Sequence, residues 1–319
     1  MSEPLPDPSF SPLIGPATVG SVEEEAVHRE LANLTELRES SAAPEPASPR
    51  QGLGVMFWLS AAWLALIVIL AVAAGHLHLP PPNHSVGNVG ETPGLHHLLG
   101  TDLNGDDLFS RVVFGSRVSL IVGFFAIALG LTIGGIIGLI AGYYRGRIES
   151  VLMSVVDILL AFPALVFALA IVTFVGRSTL DVTFTLGVLS IAPLARVVRG
   201  ATIVYSQREF VLAARTLGAS GRRIVLREVL PNVVPAGVSF GIIGVAVAMV
   251  AEGALSFLGL SVNPQTPSWG GLIAAGQVGL KHHPLVSLIP AAFLFFTVLA
   301  LNFAGDVLRA RFDIREGAL

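Results

Sequence analysis

The chain has 319 residues, of which 53% are hydrophobic and only 13% charged, and its mean hydropathy is +0.76. Ordinary soluble domains carry about 25% charged residues, so this composition belongs to a multispanning membrane protein. The net charge of -3 says little, because charge is sorted by position, and the absence of cysteine excludes disulfides and thiolate metal sites.

Residues 1–52 are rich in Pro, Ser, Ala and Glu and read as a largely disordered cytoplasmic tail. Within them Ser21 and Glu24 fit a capping box, with Val27, Leu31 and Leu34 at helical spacing, so a short amphipathic helix fits there. No basic region followed by an apolar core is present, so the segment does not read as a signal peptide.

A bilayer crossing takes about 20 mostly apolar residues, and six segments qualify. The first covers 53–76. After an extracytoplasmic loop over 77–116, stiffened at its start by Pro80, Pro81 and Pro82, the others cover about 117–142, 151–175, 181–203, 233–260 and 285–305. The five later spans make a core over 117–305, and 306–319 is a cytoplasmic C-terminal tail. Basic residues flanking spans favour the cytoplasm. With the N-terminus inside, fifteen arginines fall on the cytoplasmic side, against Arg111, Arg117, Arg177 and Lys281 outside. Both termini are then cytoplasmic. The second span carries Gly130, Gly134, Gly138 and Gly142, one helix face that permits close packing on a neighbour.

Lys281 is the only lysine. It lies in Leu280-Lys281-His282, not in the Gly-Lys-Ser/Thr of a phosphate-binding loop. If ATP drives this protein, another polypeptide hydrolyses it. No nucleophile motif or acid/base pair is visible, so the chain does not read as an enzyme. Seven of the eight histidines fall in or near outer loops and read as solvated rather than as a metal site.

The largest cytoplasmic loop, 204–232, interrupts the apolar pattern with Glu209, Arg215, Arg222, Arg223, Arg227 and Glu228. As a helix it gives a small apolar face of Phe210, Ala213, Ala214 and Leu217. Gly218 then suits a left-handed helix end. A second helix is expected from about Arg222 to Leu230, with Pro231 and Pro235 bracketing entry to the fifth span. Such a helix–bend–helix fits either a groove on a partner or, through its arginines, anionic headgroups.

This segment resembles the EAA loop of ABC-importer permeases, of form E-A-A-x3-G-x9-I-x-L-P. Ala213, Ala214, Gly218, Leu230 and Pro231 match at the right spacing, while Leu212 replaces the Glu and Glu228 the usual apolar residue. Four further stretches, at 98–123, 138–165, 254–270 and 302–313, resemble in order the C-type subunit of oligopeptide/dipeptide (peptide/nickel) permeases. The resemblance implies an all-α fold of one extra N-terminal helix plus a five-helix core, six transmembrane helices in all, in the bacterial cytoplasmic membrane. It implies a B-type homologous permease partner, two cytoplasmic ATPase subunits or one fused pair, and an extracytoplasmic substrate-binding protein. ATP and Mg would reside on the ATPases, with no cofactor on this chain. Each ATPase would grip one loop as a coupling helix, here Glu209, Phe210, Ala213, Ala214, Leu217, Gly218, Arg222, Arg223 and Pro231. The implied cargo is a peptide, or alternatively nickel or another small solute. A secondary transporter is a competing class, but it normally shows inverted repeats with interrupted helices, and none is apparent.

Three residues inside the spans are candidates for the pathway or a gate. Glu252 in the fifth span is an expensive group to bury. It faces either a translocation path or a structural set of hydrogen bonds near the outer end. Asp157 in the third span calls for an arginine partner that the sequence does not identify. Pro163 follows it and should kink that helix.

Overall fold

The computed structural model describes residues 54–316, together with Glu30 and Asn33. The expected tail and its capping box at Ser21 lie outside the described residues. Among the described residues the structure is almost wholly helical. The helices are α1 (Val55–Ala73), α2 (Leu108–Tyr144), α3 (Gly146–Ala161), α4 (Ala164–Val175), α5 (Thr179–Tyr205), α6 (Glu209–Thr216), α7 (Gly221–Ile224), α8 (Leu230–Phe257), α9 (Trp269–Gly276) and α10 (Leu285–Glu316). A π-helical turn, Val225–Val229, fuses α7 to α8, and a 3-10 turn, Gln277–Gly279, follows α9. Five helical stretches are long and apolar enough to cross a membrane, and α3 with α4 would make a sixth span if taken together.

Three sequence expectations change. The second span begins at Leu108, not near 117, because the Asp107 carboxylate caps the helix by accepting from the Ser110 N–H at 2.8 Å. Residues 108–116 therefore belong to the helix and not to the outer loop. The last helix continues past 305 to Glu316, through most of the expected tail. The third span is not one kinked helix: α3 and α4 meet at 89°. Proline's ring excludes the preceding residue from the helical region, and Phe162 is accordingly extended, at φ -84 and ψ 137. Pro163 thus caps α4 instead of bending a continuous helix.

The glycine ladder of α2 is the contact with α5. A Cβ on Gly134 would strike the Ile191 carbonyl, one on Gly138 the Ala195 carbonyl, and one on Gly142 would lie 2.7 Å from the Thr202 Cβ. Lipid tails are as apolar as leucine, so burial of apolar surface gives little drive between membrane helices, and close backbone approach must supply the attraction. At the other end of the bundle, α1 docks on α10. Trp63 Nε1 donates to Thr297 Oγ1 at 3.0 Å, and its ring meets Phe293 and Phe296.

Candidate functional site: the coupling segment and the polar groups of the spans

The candidate coupling segment is held by one apolar cluster. Leu139 of α2, Val198 of α5, Val211 of α6, and Ile224, Val225, Val229 and Val233 around the π turn are all buried together. Val211 is fully buried, and Ala214 packs beside it. This fixes which side of α6 looks inward. Phe210, Ala213 and Leu217, at spacings of three and four, remain exposed, as do Leu212 and Thr216. The expected four-residue face therefore splits: Ala214 packs within the chain, and the other three present outward. Sequence reasoning missed Val211, because it stands in an unbroken apolar run, Phe210-Val211-Leu212, in which nothing local tells which residue faces inward.

Gly218 ends α6 as expected, with φ +78. Ala219 N–H donates to the Ala214 carbonyl and Gly218 N–H to the Arg215 carbonyl, both at 3.0 Å, which is the paired geometry of a Schellman cap. Nothing lies within 4 Å of where a Gly218 Cβ would stand, so the backbone conformation alone calls for glycine. The Arg215 guanidinium stacks 5.4 Å from the Tyr143 ring centre, tying the segment to the end of α2. The second expected helix, Arg222 to Leu230, is corrected. It starts at Gly221 and runs without a break through the π turn into α8, with Pro231 in the first turn of α8 and Pro235 inside that helix. Pro231 cannot donate an N–H, and a helix start or a π turn is where that loss is tolerated. Arg222 and Arg223, shortly after α6 in sequence, are exposed.

Glu252 is buried among hydrogen-bond donors. It is 1% exposed, and the hydroxyls of Ser256, Ser261 and Ser268 donate to its Oε1 at 3.0, 2.7 and 2.8 Å. Ser268 also caps α9 by accepting from Gly271 N–H at 3.0 Å. One carboxylate oxygen thus ties α8 to the loop after it and to the start of α9. Oε2 has no hydrogen-bond partner and lies against Gly270, where a side chain would collide. Asp157 finds its arginine on α5: Arg196 Nη2 donates to Asp157 Oδ1 at 2.7 Å. A second α3–α5 pair joins Arg199 to Glu149, with Nε at 2.7 Å.

The loop before α2 holds a buried ionic centre that the sequence did not single out. Arg111, on the first turn of α2, pairs through Nη1 with Asp102 and with Asp106, the latter at 3.0 Å, and all three side chains are buried. Burial and the neighbouring Asp102 hold the Asp106 carboxyl above its usual range, although Arg111 opposes them. The available signal was the spacing: Asp102, Asp106 and Arg111 lie four and five residues apart at a helix start. Two loop histidines are also structural rather than solvated. His97 Nδ1 lies 3.1 Å from Asp107 Oδ2, and His283 Nδ1 lies 3.0 Å from the Gly90 carbonyl oxygen. Among the described residues no group of three or more His, Cys, Asp or Glu is placed to hold a metal. Trp269 of α9 is fully buried. Its backbone N–H donates to Ser119 Oγ and its Nε1 to the Val112 carbonyl, both at 3.0 Å.

Residues 134–316, which contain the coupling segment, match the family described as binding-protein-dependent transport system inner membrane component. The chain belongs to that family. It is the membrane permease of an ABC importer, a multi-pass subunit whose work is transport. The permease is 35% identical over 257 residues to the glutathione transport system permease protein GsiD of Pectobacterium atrosepticum, covering 79% of this chain and 85% of that one. It is 38% identical over 226 residues to the GsiD protein of Escherichia coli, covering 71% of this chain and 75% of its relative. These similarities place it in the peptide/nickel group of importer permeases. Among solved structures, the fold of the permease resembles the inward-facing MetNI methionine ABC transporter, at TM-score 0.55 and 19% identity over 63% of this chain and 95% of that chain. It also resembles an amino acid ABC transporter determined with histidines, at TM-score 0.51 and 18% identity over 64% of this chain and 94% of that one.

Proposed function

We propose that the permease is the C-type membrane subunit of an ATP-driven, binding-protein-dependent importer of small peptides. It forms half of a translocation pathway with a B-type homologue. Two cytoplasmic ATPase subunits, or one fused pair, carry ATP and Mg, and an extracytoplasmic binding protein delivers the cargo. The observation that carries this reading is α6. A short helix with Val211 locked into the bundle behind it presents Phe210, Ala213 and Leu217 outward, and the exposed Arg222 and Arg223 follow it in sequence. An isolated eight-residue helix is marginal in water, so this one exists because its inner side is packed, and its outer side is available to a groove. The two GsiD relatives are named for glutathione transport, and glutathione is a tripeptide, which favours peptide-like cargo over nickel. The arginine asymmetry favours both termini and the coupling segment in the cytoplasm and the 77–107 loop outside, in the bacterial cytoplasmic membrane.

The test is Gly218→Val in the assembled transporter. A β-branched residue at positive φ is a strong outlier and undoes the cap that ends α6, outside the bilayer core. The variant should reach the membrane at normal level and lose peptide uptake, with the ATPase subunits dissociated or no longer stimulated by the loaded binding protein. Wild-type uptake by Gly218→Val would show that the charged segment is only an interfacial helix.

A further inference from the structure

The α3–α5 face raises a question that the coupling segment does not answer. Asp157 and Arg196 form an ion pair, yet their side chains are 58% and 55% exposed, within α5, which is long and apolar enough to cross a membrane, and α3, which is so only when taken with α4. Arg196 lies nine residues before the end of α5. At 1.5 Å per residue α5 is about 40 Å long, and Arg196 sits about 6 Å from its middle. Charged groups at that depth are costly unless they face water, a cavity or a partner.

The rest of α3 shows which direction is polar. Helical geometry sorts its residues into three stripes. Met153, Val156 and Leu159 face inward, packing with Ala192 and Ala195 of α5. Ile148, Val151, Val155, Ile158 and Phe162 make an exposed, wholly apolar stripe suited to lipid. Ser150, Ser154, Asp157 and Ala161 make a second exposed stripe, small and polar. On α5 the matching exposed positions are Pro193, Arg196 and Gly200. Pro193 has no N–H, so the Leu189 carbonyl on the preceding turn lacks its usual helical donor. A carboxylate, a guanidinium, hydroxyls and a freed carbonyl thus share one face, while the apolar side chains of α3 are turned to another.

We propose that this face is a water-lined wall of the translocation pathway, and that Asp157 and Arg196 form a charge clamp for zwitterionic cargo. Arg196 takes a carboxylate, through the paired donors of its guanidinium, and Asp157 takes an ammonium group. Without cargo the two neutralise each other. A zwitterion replaces each partner with a charge of the same sign, so passage needs no net charge to be stranded at membrane depth. The clamp is also wired to the coupling segment, because α5 runs from Arg196 directly to Tyr205, three residues short of α6. The inference rests on the importer reading and adds the chemical class that the pathway selects.

The experiment uses the absence of native cysteine from this chain. Single cysteines are placed at Ser154 and Gly200 on the polar face, at Val151 and Val155 on the apolar stripe, and at Ser220 as an aqueous reference. The assembled transporter in membranes is then treated with a charged, membrane-impermeant methanethiosulfonate. Only a hydrated thiolate reacts, so the polar-face positions should label within about tenfold of Ser220→Cys, and the apolar stripe far more slowly. A tripeptide delivered by the binding protein should protect the polar-face positions. Equally slow labelling of both stripes would overturn the water-lined wall. Separately, Asp157→Asn and Arg196→Gln should each reduce peptide uptake per assembled complex by about ten- to hundredfold, the loss of one charged hydrogen bond. The charge exchange Asp157→Arg with Arg196→Asp should restore the ion pair without restoring uptake, and full recovery of uptake would overturn the clamp. Absence of ATP-driven peptide uptake by the wild-type transporter would instead refute the importer reading, whatever the labelling pattern.

Discussion

Glu252 offers a test in which two roles predict opposite results. Its Oε1 is the acceptor for three serine hydroxyls, so Glu252→Ala leaves those donors to find new partners. Ser256 has one at hand, the Glu252 carbonyl oxygen at 3.1 Å, but Ser261 and Ser268 do not. Two buried donors left unsatisfied cost about 1–3 kcal/mol each, so the alanine variant should lose about 2–6 kcal/mol. Glu252→Gln keeps an acceptor oxygen but loses the charge that strengthens all three bonds, and it places an amide donor where Oε2 has no partner. Its cost should be smaller, about 1–3 kcal/mol. Thermal unfolding of the purified transporter in detergent should rank wild type above Gln above Ala. Uptake, normalised to assembled complex, should stay close to wild type in the Gln variant. Ser261→Ala combined with Glu252→Gln should show a coupling of about 0.5–3 kcal/mol, as contacting residues do. A Gln variant with wild-type unfolding and lost uptake would refute the structural role and put Glu252 in the pathway.

Gly138→Val should block the approach of α2 to α5, since even a Cβ would meet the Ala195 carbonyl and the Arg199 N. Overpacking of this kind typically costs about 1–3 kcal/mol, and the variant should fall in membrane abundance while Gly135→Val, with open space around it, does not. Arg111→Gln should make the 77–107 loop protease-sensitive, because removing one partner of a buried ion pair costs about 3–5 kcal/mol. The same loop carries a pH signature. The Asp106 carboxyl is held above its ordinary value of 3.8, so its favourable contribution is complete below that value and is lost as pH rises through the raised one. In Arg111→Gln that loss should deepen, since the cation opposing it is gone, and protease resistance should recover at acid pH.

The apolar spans were legible because hydropathy is a local property, and the glycine ladder because helical spacing is. What escaped the sequence depends on contacts distant along the chain. Asp157 needed an arginine, and Arg196 lies 39 positions away. The hydrogen-bond donors of Glu252 include Ser261 and Ser268, one in a loop and one at a helix start. Pro163 announced a break, but the 89° turn arises from the extended Phe162 before it. The start of α2 was missed because Arg111 and Arg117 interrupt its apolar pattern, although Arg111 is taken up by the buried ionic centre.

Gly218 was legible for the opposite reason, since a helix stop is written in neighbouring residues. The side of α6 that faces inward was not, because only the packed bundle selects it. That packing decides what the coupling segment can do. Val211 of α6, Val198 of α5, Leu139 of α2 and Val229 and Val233 at the start of α8 are buried in one cluster. Protein interiors are close-packed and transmit strain instead of absorbing it. Beyond the Gly218 turn the helix is continuous from Gly221 to Phe257, with no further break before the fifth span. A displacement of α6 therefore reaches α5, α2 and α8 together. Through α5 it reaches Arg196, and through α8 it reaches Glu252 and the loop that this residue fastens.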